Sequence, residues 1–244
     1  MNDQLLTGRA DLHIHTRASD GLATAAQVLD MVARRRHLDV IAITDHDNLD
    51  ASLWAYDQRH RYPFDIIPGV EVTAVEGHVL ALWVTHPISK RLSVAETTAA
   101  VHEQGGLAVL AHPGEIMIAG RYLQRYLRQP EVLLSWGIDA IEVYNAGTMT
   151  PGNNLLARRI SRRLPLPVTG SSDAHTLSAV GCGMTRFAGR TAAELRQALL
   201  NGHTAAEGAS WPITDYLRLS PSSIRRTLNG FLGTNMHSTR PTLR

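Results

Sequence analysis

The sequence predicts an α/β protein, a distorted (β/α)7 TIM-like barrel with a short C-terminal extension. Two features predict it. Apolar strand-like runs alternate with helical patterns along most of the 244 residues. Short runs that pair histidine with carboxylate fall at the C-terminal ends of several different strand candidates. In an open sheet such ends lie in a row too wide to surround one centre, whereas in a barrel they form a ring around a common pocket.

The strand candidates are 9–15, 39–44, 65–73, 78–84, 107–112, 138–144 and 166–170, with a weaker one at 203–207. They are rich in apolar and β-branched residues and bounded by turn formers. Apolar spacing near 3.6 predicts helices over 25–36, 94–102, 123–136, 154–163 and 192–201. Thr24 with Gln27, Ser93 with Glu96 and Thr191 with Glu194 have capping-box spacing, while Gly105-Gly106 and Asn201-Gly202 supply stops. The runs 65–73 and 78–84 are joined only by a polar turn around Glu76-Gly77, which predicts a hairpin that distorts the barrel. Past Trp211 the alternation ends. The barrel is expected over 8–209 and the extension over 210–244, with a short helix at 224–232 and a frayed end.

Composition narrows the function classes. A hydrophobic content of 44% allows one sizeable core, and a formal charge of +2 gives no global field for nucleic acid. The cations are arginines except Lys90, so phosphate contacts would be made by guanidinium groups. A single cysteine, Cys182, excludes an internal disulfide framework. With no signal-like start and no apolar stretch of membrane-spanning length, a cytoplasmic protein is expected.

The chemistry lies in five runs that hold six of the twelve histidines. In Leu12-His13-Ile14-His15 the strand period of two places both imidazoles on one face. Asp173-Ala174-His175 repeats this spacing after Gly170-Ser-Ser, which suggests a tight turn. Glu71 sits inside an apolar strand, where a lone carboxylate is costly unless a cation or hydrogen bonds compensate. His46 lies in Thr44-Asp-His-Asp47, and His78 and His112 lie on or at the ends of apolar strands. Asp20 follows the first strand in Ser19-Asp20-Gly21. A salt bridge from Glu71 to an arginine and a plain helix-leading turn at Asp20 are the ordinary alternatives. Imidazole with carboxylate is the donor set of Zn, Mn and Fe, and the runs together predict a metal cluster.

The ordered series His-x-His, Ser-Asp-Gly, Thr-Asp-His, Gly-Val-Glu, a strand histidine, Ala-His-Pro and Ser-Asp-Ala-His resembles the PHP (polymerase and histidinol phosphatase) family of metal-dependent phosphoesterases, over roughly residues 10–207. The resemblance implies the PHP barrel with two or three divalent ions. It implies His13, His15, Glu71 and Asp173 around one ion, and Glu71 as a bridge to a second with His78 and His112. Asp20, His46 and His175 would hold the third. Asp45 and Glu142 are expected beside the ligands, with Asp45 and His175 as candidates for catalytic work and Arg17 and Arg121 as candidate phosphate clamps. The implied reaction is hydrolysis of a phosphomonoester or small phosphodiester by metal-activated hydroxide. The substrate would be a nucleotide, a sugar phosphate or an oligonucleotide end, with no membrane and no stable protein partner involved.

The chain departs from one branch of the family, which acts on nucleoside bisphosphates and RNA 5′ ends. Only one helix fits between His78 and His112, leaving no room for that branch's helical cap, and Gly114-Glu115 follow Ala-His-Pro where it tends to carry arginine. Two other function classes compete. An amidohydrolase-like enzyme acting on a non-phosphate ester, amide or lactone would often bridge its metals with a carbamylated lysine, and Lys90, in a polar loop, is poorly placed for that. A non-catalytic metal-binding module would be expected to have lost ligands.

Overall fold

The computed structural model describes residues 5–219 apart from Arg121 and Thr150. Arg121 and the helix expected at 224–232 therefore lie outside the described residues. The elements run β1 (Gly8–Asp11), α1 (Ala25–Arg35), β2 (Val40–Ile43), α2 (Asp50–Asp57), β3 (Asp65–Thr73), β4 (His78–Leu82), α3 (Val94–Glu103), β5 (Leu107–Ala111), α4 (Ile116–Ala119), α5 (Tyr122–Arg128), α6 (Val132–Ser135), β6 (Ala140–Asn145), α7 (Asn153–Ser161), β7 (Val168–Ser171), β8 (Gly183–Phe187), α8 (Ala192–Leu200) and β9 (Thr204–Gly208).

The strands form one sheet in the order β7-β6-β5-β4-β3-β2-β1-β8-β9. It curls until its ends meet. Thr204 Oγ1 donates to Val168 O at 2.7 Å, Gly170 N–H donates to Thr185 Oγ1 at 3.1 Å, and Ala174 bridges to Ile14. The result is a nearly closed barrel. The expected hairpin is present, with Glu71 opposite Leu80 and Thr73 opposite His78 in an antiparallel β3–β4 pair. β4 is also antiparallel to β5, so the repeat is not strictly βα. β8, a strand that the sequence pattern did not reveal, pairs antiparallel with β1 and brings β9 beside it. Gly170 lies within β7 rather than in a tight turn. A Cβ there would stand 2.6 Å from Met184 O, so glycine permits β8 to approach.

The period-two alternation sorts the core. Leu80, Leu82, Leu107 and Val109 join Ala10, Leu12, Val40, Ala42 and Ala140 in one cluster, with Leu195 and Leu199 of α8. Residues from β1, β2, β5 and β6 meet there because the sheet closes on itself. Their neighbours Val79, Ala81, Ala108 and Leu110 face the other way, toward Tyr126, Leu133 and Ile160 of the outer helices. The three capping boxes at Thr24, Ser93 and Thr191 are all formed. The helix expected over 123–136 is split into α5 and α6 around Pro130, which cannot supply the N–H of a continuous helix. Contacts divide the chain into compact units Met1–Trp211 and Pro212–Arg244, and residues 213–219 of the second are helical. Among the described residues no helix is long and apolar enough to cross a membrane.

Candidate metal centre

The segment after β1 carries His13 and His15 along the barrel wall by backbone pairing on both sides. His15 N–H donates to Ala174 O at 2.9 Å, and Thr44 N–H donates to Ile14 O at 2.8 Å. Asp11 ties this segment to the far end of the chain, accepting from Ser172 N–H at 3.0 Å and Gly181 N–H at 2.8 Å. Its complete burial pushes its carboxyl up to about 6. The two imidazoles lie on the same side, ring centroids 5.0 Å apart, as the i, i+2 spacing predicts.

Glu71 is the hub. Its Oε1 lies 2.8 Å from His78 Nδ1 and 3.0 Å from His112 Nε2. Its Oε2 lies 3.1 Å from His13 Nε2, 3.2 Å from His15 Nε2 and 3.1 Å from His46 Nδ1. One carboxylate thus faces two sets of nitrogens through its two oxygens. Asp173 Oδ1 approaches His13 and His15 from the segment after β7, which runs parallel beside theirs, 3.1 Å from His15 Nε2 and 3.5 Å from His13 Nε2. Asp20 Oδ2 lies 3.0 Å from His175 Nε2 and 3.8 Å from His46 Nε2, and its Oδ1 is 3.3 Å from His15 Nδ1.

All nine residues expected from the sequence converge. They form four overlapping groups that could hold a metal ion: His15, Asp20, His46 and His175; His13, His15 and Glu71; His13, His112 and Asp173; and His46, Glu71 and His78. The donor atoms fit metal better than they fit one another. His13 Nε2, His15 Nε2 and Glu71 Oε2 are buried at about 3 Å separations, yet none makes a hydrogen bond. Buried polar atoms are nearly always paired, so lone pairs aimed at a shared point mark a place for a cation.

The charges agree. Burial would raise the Glu71 carboxyl, but His13, His46 and His78 outweigh it and hold it well below the ordinary carboxylate range. Burial likewise opposes charge on His15, yet Asp173 and Glu71 raise its imidazole to about 10. Without another cation, the imidazoles themselves must carry the balancing positive charge. His46 goes the other way, pushed down to about 4 chiefly by burial.

The surroundings orient these ligands. His13 Nδ1 lies 3.1 Å from Glu142 Oε1, and His175 Nδ1 lies 2.9 Å from Asp173 O. A carboxylate or carbonyl oxygen only accepts, so each Nδ1 carries the proton and Nε2 is left to ligate. Glu142 Oε2 also accepts from His112 N–H and Asn145 Nδ2, and Asn145 reaches Asp173 Oδ2 at 3.1 Å. Asp45 has both oxygens engaged, accepting from Thr16 N–H, Thr16 Oγ1 and Ser19 Oγ. It shapes the loop that presents Asp20. His112 and Asp173 have φ of 27° and 50°. Such backbone costs about 1–3 kcal/mol in a non-glycine residue and clusters at functional sites.

Arg17 is exposed in the loop after β1, its Nε donating to Leu22 O at 2.8 Å. Asn145, Ser19 and Trp211 were not anticipated as part of the site. Asn145 ends β6 ahead of Ala146-Gly147, where it reads as a strand stop. Trp211 stands where the βα alternation ends, yet its ring lies 5.7 Å from that of His175.

Fold and site together define an α/β barrel with a many-membered nitrogen and oxygen donor cluster at one end, where the parallel strands finish and the antiparallel β4 begins with His78. The PHP domain model matches residues 11–129 and a PHP-associated model matches 151–204. The chain belongs to the PHP family. It is 28% identical over 172 residues to the uncharacterized protein MJ1587 of Methanocaldococcus jannaschii, covering 64% of this chain and 94% of that protein. It is 28% identical over 151 residues to the 5'-3' exoribonuclease Rnm of Salmonella typhimurium, covering 59% of this chain and 45% of that enzyme. A two-domain protein from Bacteroides vulgatus, containing a predicted PHP-like metal-dependent phosphoesterase, superposes with a TM-score of 0.67 at 22% identity. That match covers 82% of this chain and 64% of the other.

Proposed function

We propose that this chain is a cytoplasmic metal-dependent phosphoesterase that hydrolyses a phosphomonoester or small phosphodiester, such as a nucleotide, a sugar phosphate or an oligonucleotide end. The observation that carries this reading is the convergence of five imidazoles on the two oxygens of the wholly buried Glu71, with His13 Nε2, His15 Nε2 and Glu71 Oε2 left without a hydrogen bond while Oε1 is met by His78 and His112. Two or three divalent ions, of Zn, Mn or Fe, suit that donor set. His13, His15, Glu71 and Asp173 would hold one, with Glu71 bridging to a second held by His78 and His112. Asp20, His46 and His175, joined by His15, would hold the third. Bound there, the ions supply Lewis acidity toward water and toward phosphoryl oxygens.

The chain's own residues do the rest. His13, His15 and Glu71 lie at the closed inner end, whereas His46, with 29% of its side chain exposed, and His175, with 15%, line the accessible side. Substrate is expected to enter there. Asp45 acts by fixing the Thr16–Ser19 turn, and His175 touches the substrate side directly. Arg17, exposed in the loop after β1, is the arginine we assign to meet the rest of a phosphorylated substrate. α3 is the one helix described between β4 and β5, and a mouth without a further helical cap on that edge would admit a chain end as well as a small molecule. The exoribonuclease likeness supports including RNA ends among the substrates. Lys90 is exposed in a turn beyond β4, which speaks against a carbamylated-lysine bridge and the amidohydrolase reading.

A substrate panel tests the proposal: nucleotides, nucleoside bisphosphates, sugar phosphates, cyclic phosphates, RNA ends, an ester and a lactone, each with added Mn²⁺ or Zn²⁺. Metal-dependent phosphate release is expected, lost by orders of magnitude in Glu71→Gln and His13→Ala. Turnover of only the ester or lactone would sink the phosphoesterase reading, and activity surviving in both variants would sink the site assignment.

A further inference from the structure

We propose that Trp211 is a positioning residue for the Asp20–His46–His175 end of the centre, and that its indole reports on metal held there. This rests on the metal-centre reading above. Trp211 lies beyond both family-matched segments, which end at 129 and 204. The strap that follows β9 carries it back over the strand ends. Ala209 N–H donates to Cys182 O at 2.7 Å, and Trp211 N–H donates to Ala146 O at 3.3 Å.

The side chain then makes three contacts at the site. Its Nε1–H donates to Ser172 O at 2.7 Å, one residue before Asp173. Its ring packs beside His175 at 5.7 Å and 58°. It lies so close over Gly147 that a Cβ there would stand 2.5 Å from Cζ2 of the indole. The ring therefore clamps the 172–175 segment against the loop after β6. His175, which faces Asp20 through Nε2, is backed by the indole and by its own Nδ1 bond to Asp173 O. A hydrogen-bond partner such as Asp173 O fixes the direction of a ligating imidazole, and its loss weakens metal affinity by about 10–100-fold. The indole acts one step removed, holding the Ser172–Asp173 backbone that offers that carbonyl.

The other indoles lie elsewhere: Trp54 on α2, Trp83 under Arg196 and Trp136 beside Tyr126. Paramagnetic Co²⁺ bound by His175 would therefore quench Trp211 ahead of the other three.

The experiment is a Co²⁺ titration of metal-free full-length protein, followed by tryptophan emission and by equilibrium dialysis. Wild type, Trp211→Phe and Gly147→Ala are compared. Trp211→Phe keeps a ring but loses the N–H, and Gly147→Ala keeps the indole but displaces it. Wild type is expected to show quenching that Trp211→Phe lacks. Both variants should bind one ion about tenfold more weakly and the remaining ions as wild type does. Unchanged affinities with only a lower melting temperature would make Trp211 a packing residue and overturn the proposal. Wild-type protein that binds no Co²⁺ would instead overturn the metal centre itself.

Discussion

Among the described residues two parts of the barrel pair histidine with carboxylate, and one of them has the makings of a centre. Near the start of β6, His102 Nε2 meets Asp139 Oδ2 at 2.8 Å, with 42% and 27% of the side chains exposed. The same oxygen accepts from Ala108 N–H, so this pair fastens α3 and β5 to the strand that follows. At the opposite strand ends, His13, His15 and Glu71 are wholly buried, crowded and unpaired at the atoms that face one another. The contrast shows that pairing alone says little. Convergence without hydrogen-bond satisfaction is what calls for a cation.

The largest test of that contrast is metal removal. Protein prepared without chelator should contain two or three ions per chain by elemental analysis. An ion present at 1,000 times its Kd contributes about 4 kcal/mol, which is on the order of 10 °C in Tm for a chain of this size. An unchanged melt after verified removal would put the cluster on the same footing as the His102–Asp139 pair. A smaller effect separates the two regions residue by residue. Glu142→Gln weakens the partner of His13 and should lower metal affinity by about 10–100-fold. Asp139→Asn should leave metal titrations unchanged and cost about 1 kcal/mol in thermal melts. Equal effects of the two substitutions on metal binding would break the comparison.

The smallest effect comes from a histidine that belongs to neither region. Burial lowers the His37 pKa, and its Nδ1 is buried without a partner while Nε2 lies 3.4 Å from Val180 O. The folded pKa lies below the unfolded value of about 6.5. The unfolded chain thus binds more protons as pH falls through that value, and this contribution to stability, intact above it, is lost below. The difference in Tm between wild type and His37→Gln should therefore shift in favour of the variant from pH 7.5 to pH 5.5. A difference independent of pH would show that His37 titrates alike in both states.

The centre was more legible in the sequence than the barrel that holds it. His13 with His15 and Asp173 with His175 carry the strand period in their spacing, and Glu71 is conspicuous because nothing in an apolar strand pairs with it. β8 escaped because its buried positions are Gly183, Thr185 and Phe187, of which the first has no side chain and the second is polar, so the alternation carries one apolar residue. α2 has a weak apolar stripe with only Ser52 and Ala55 buried, so it lacks the 3.6 signature. Pro130 was visible, and reading one helix through it underweighted its missing N–H. Asn145 and Trp211 act through contacts with residues distant in the chain, which spacing cannot express.

The bond from Ser172 N–H to Asp11 Oδ1 spans 161 positions. Such separation has a kinetic consequence, since contacts of high contact order form late and pay the entropy of closing a long loop first. His46, Glu71 and His78 lie within one hairpin and the strand before it, and can meet early. The group containing His15 and His175 cannot exist until the two ends of the barrel have met. Completion of the centre is therefore a checkpoint on folding, because a chain truncated before Asp173 keeps most of its histidines and still lacks the full set of ligands.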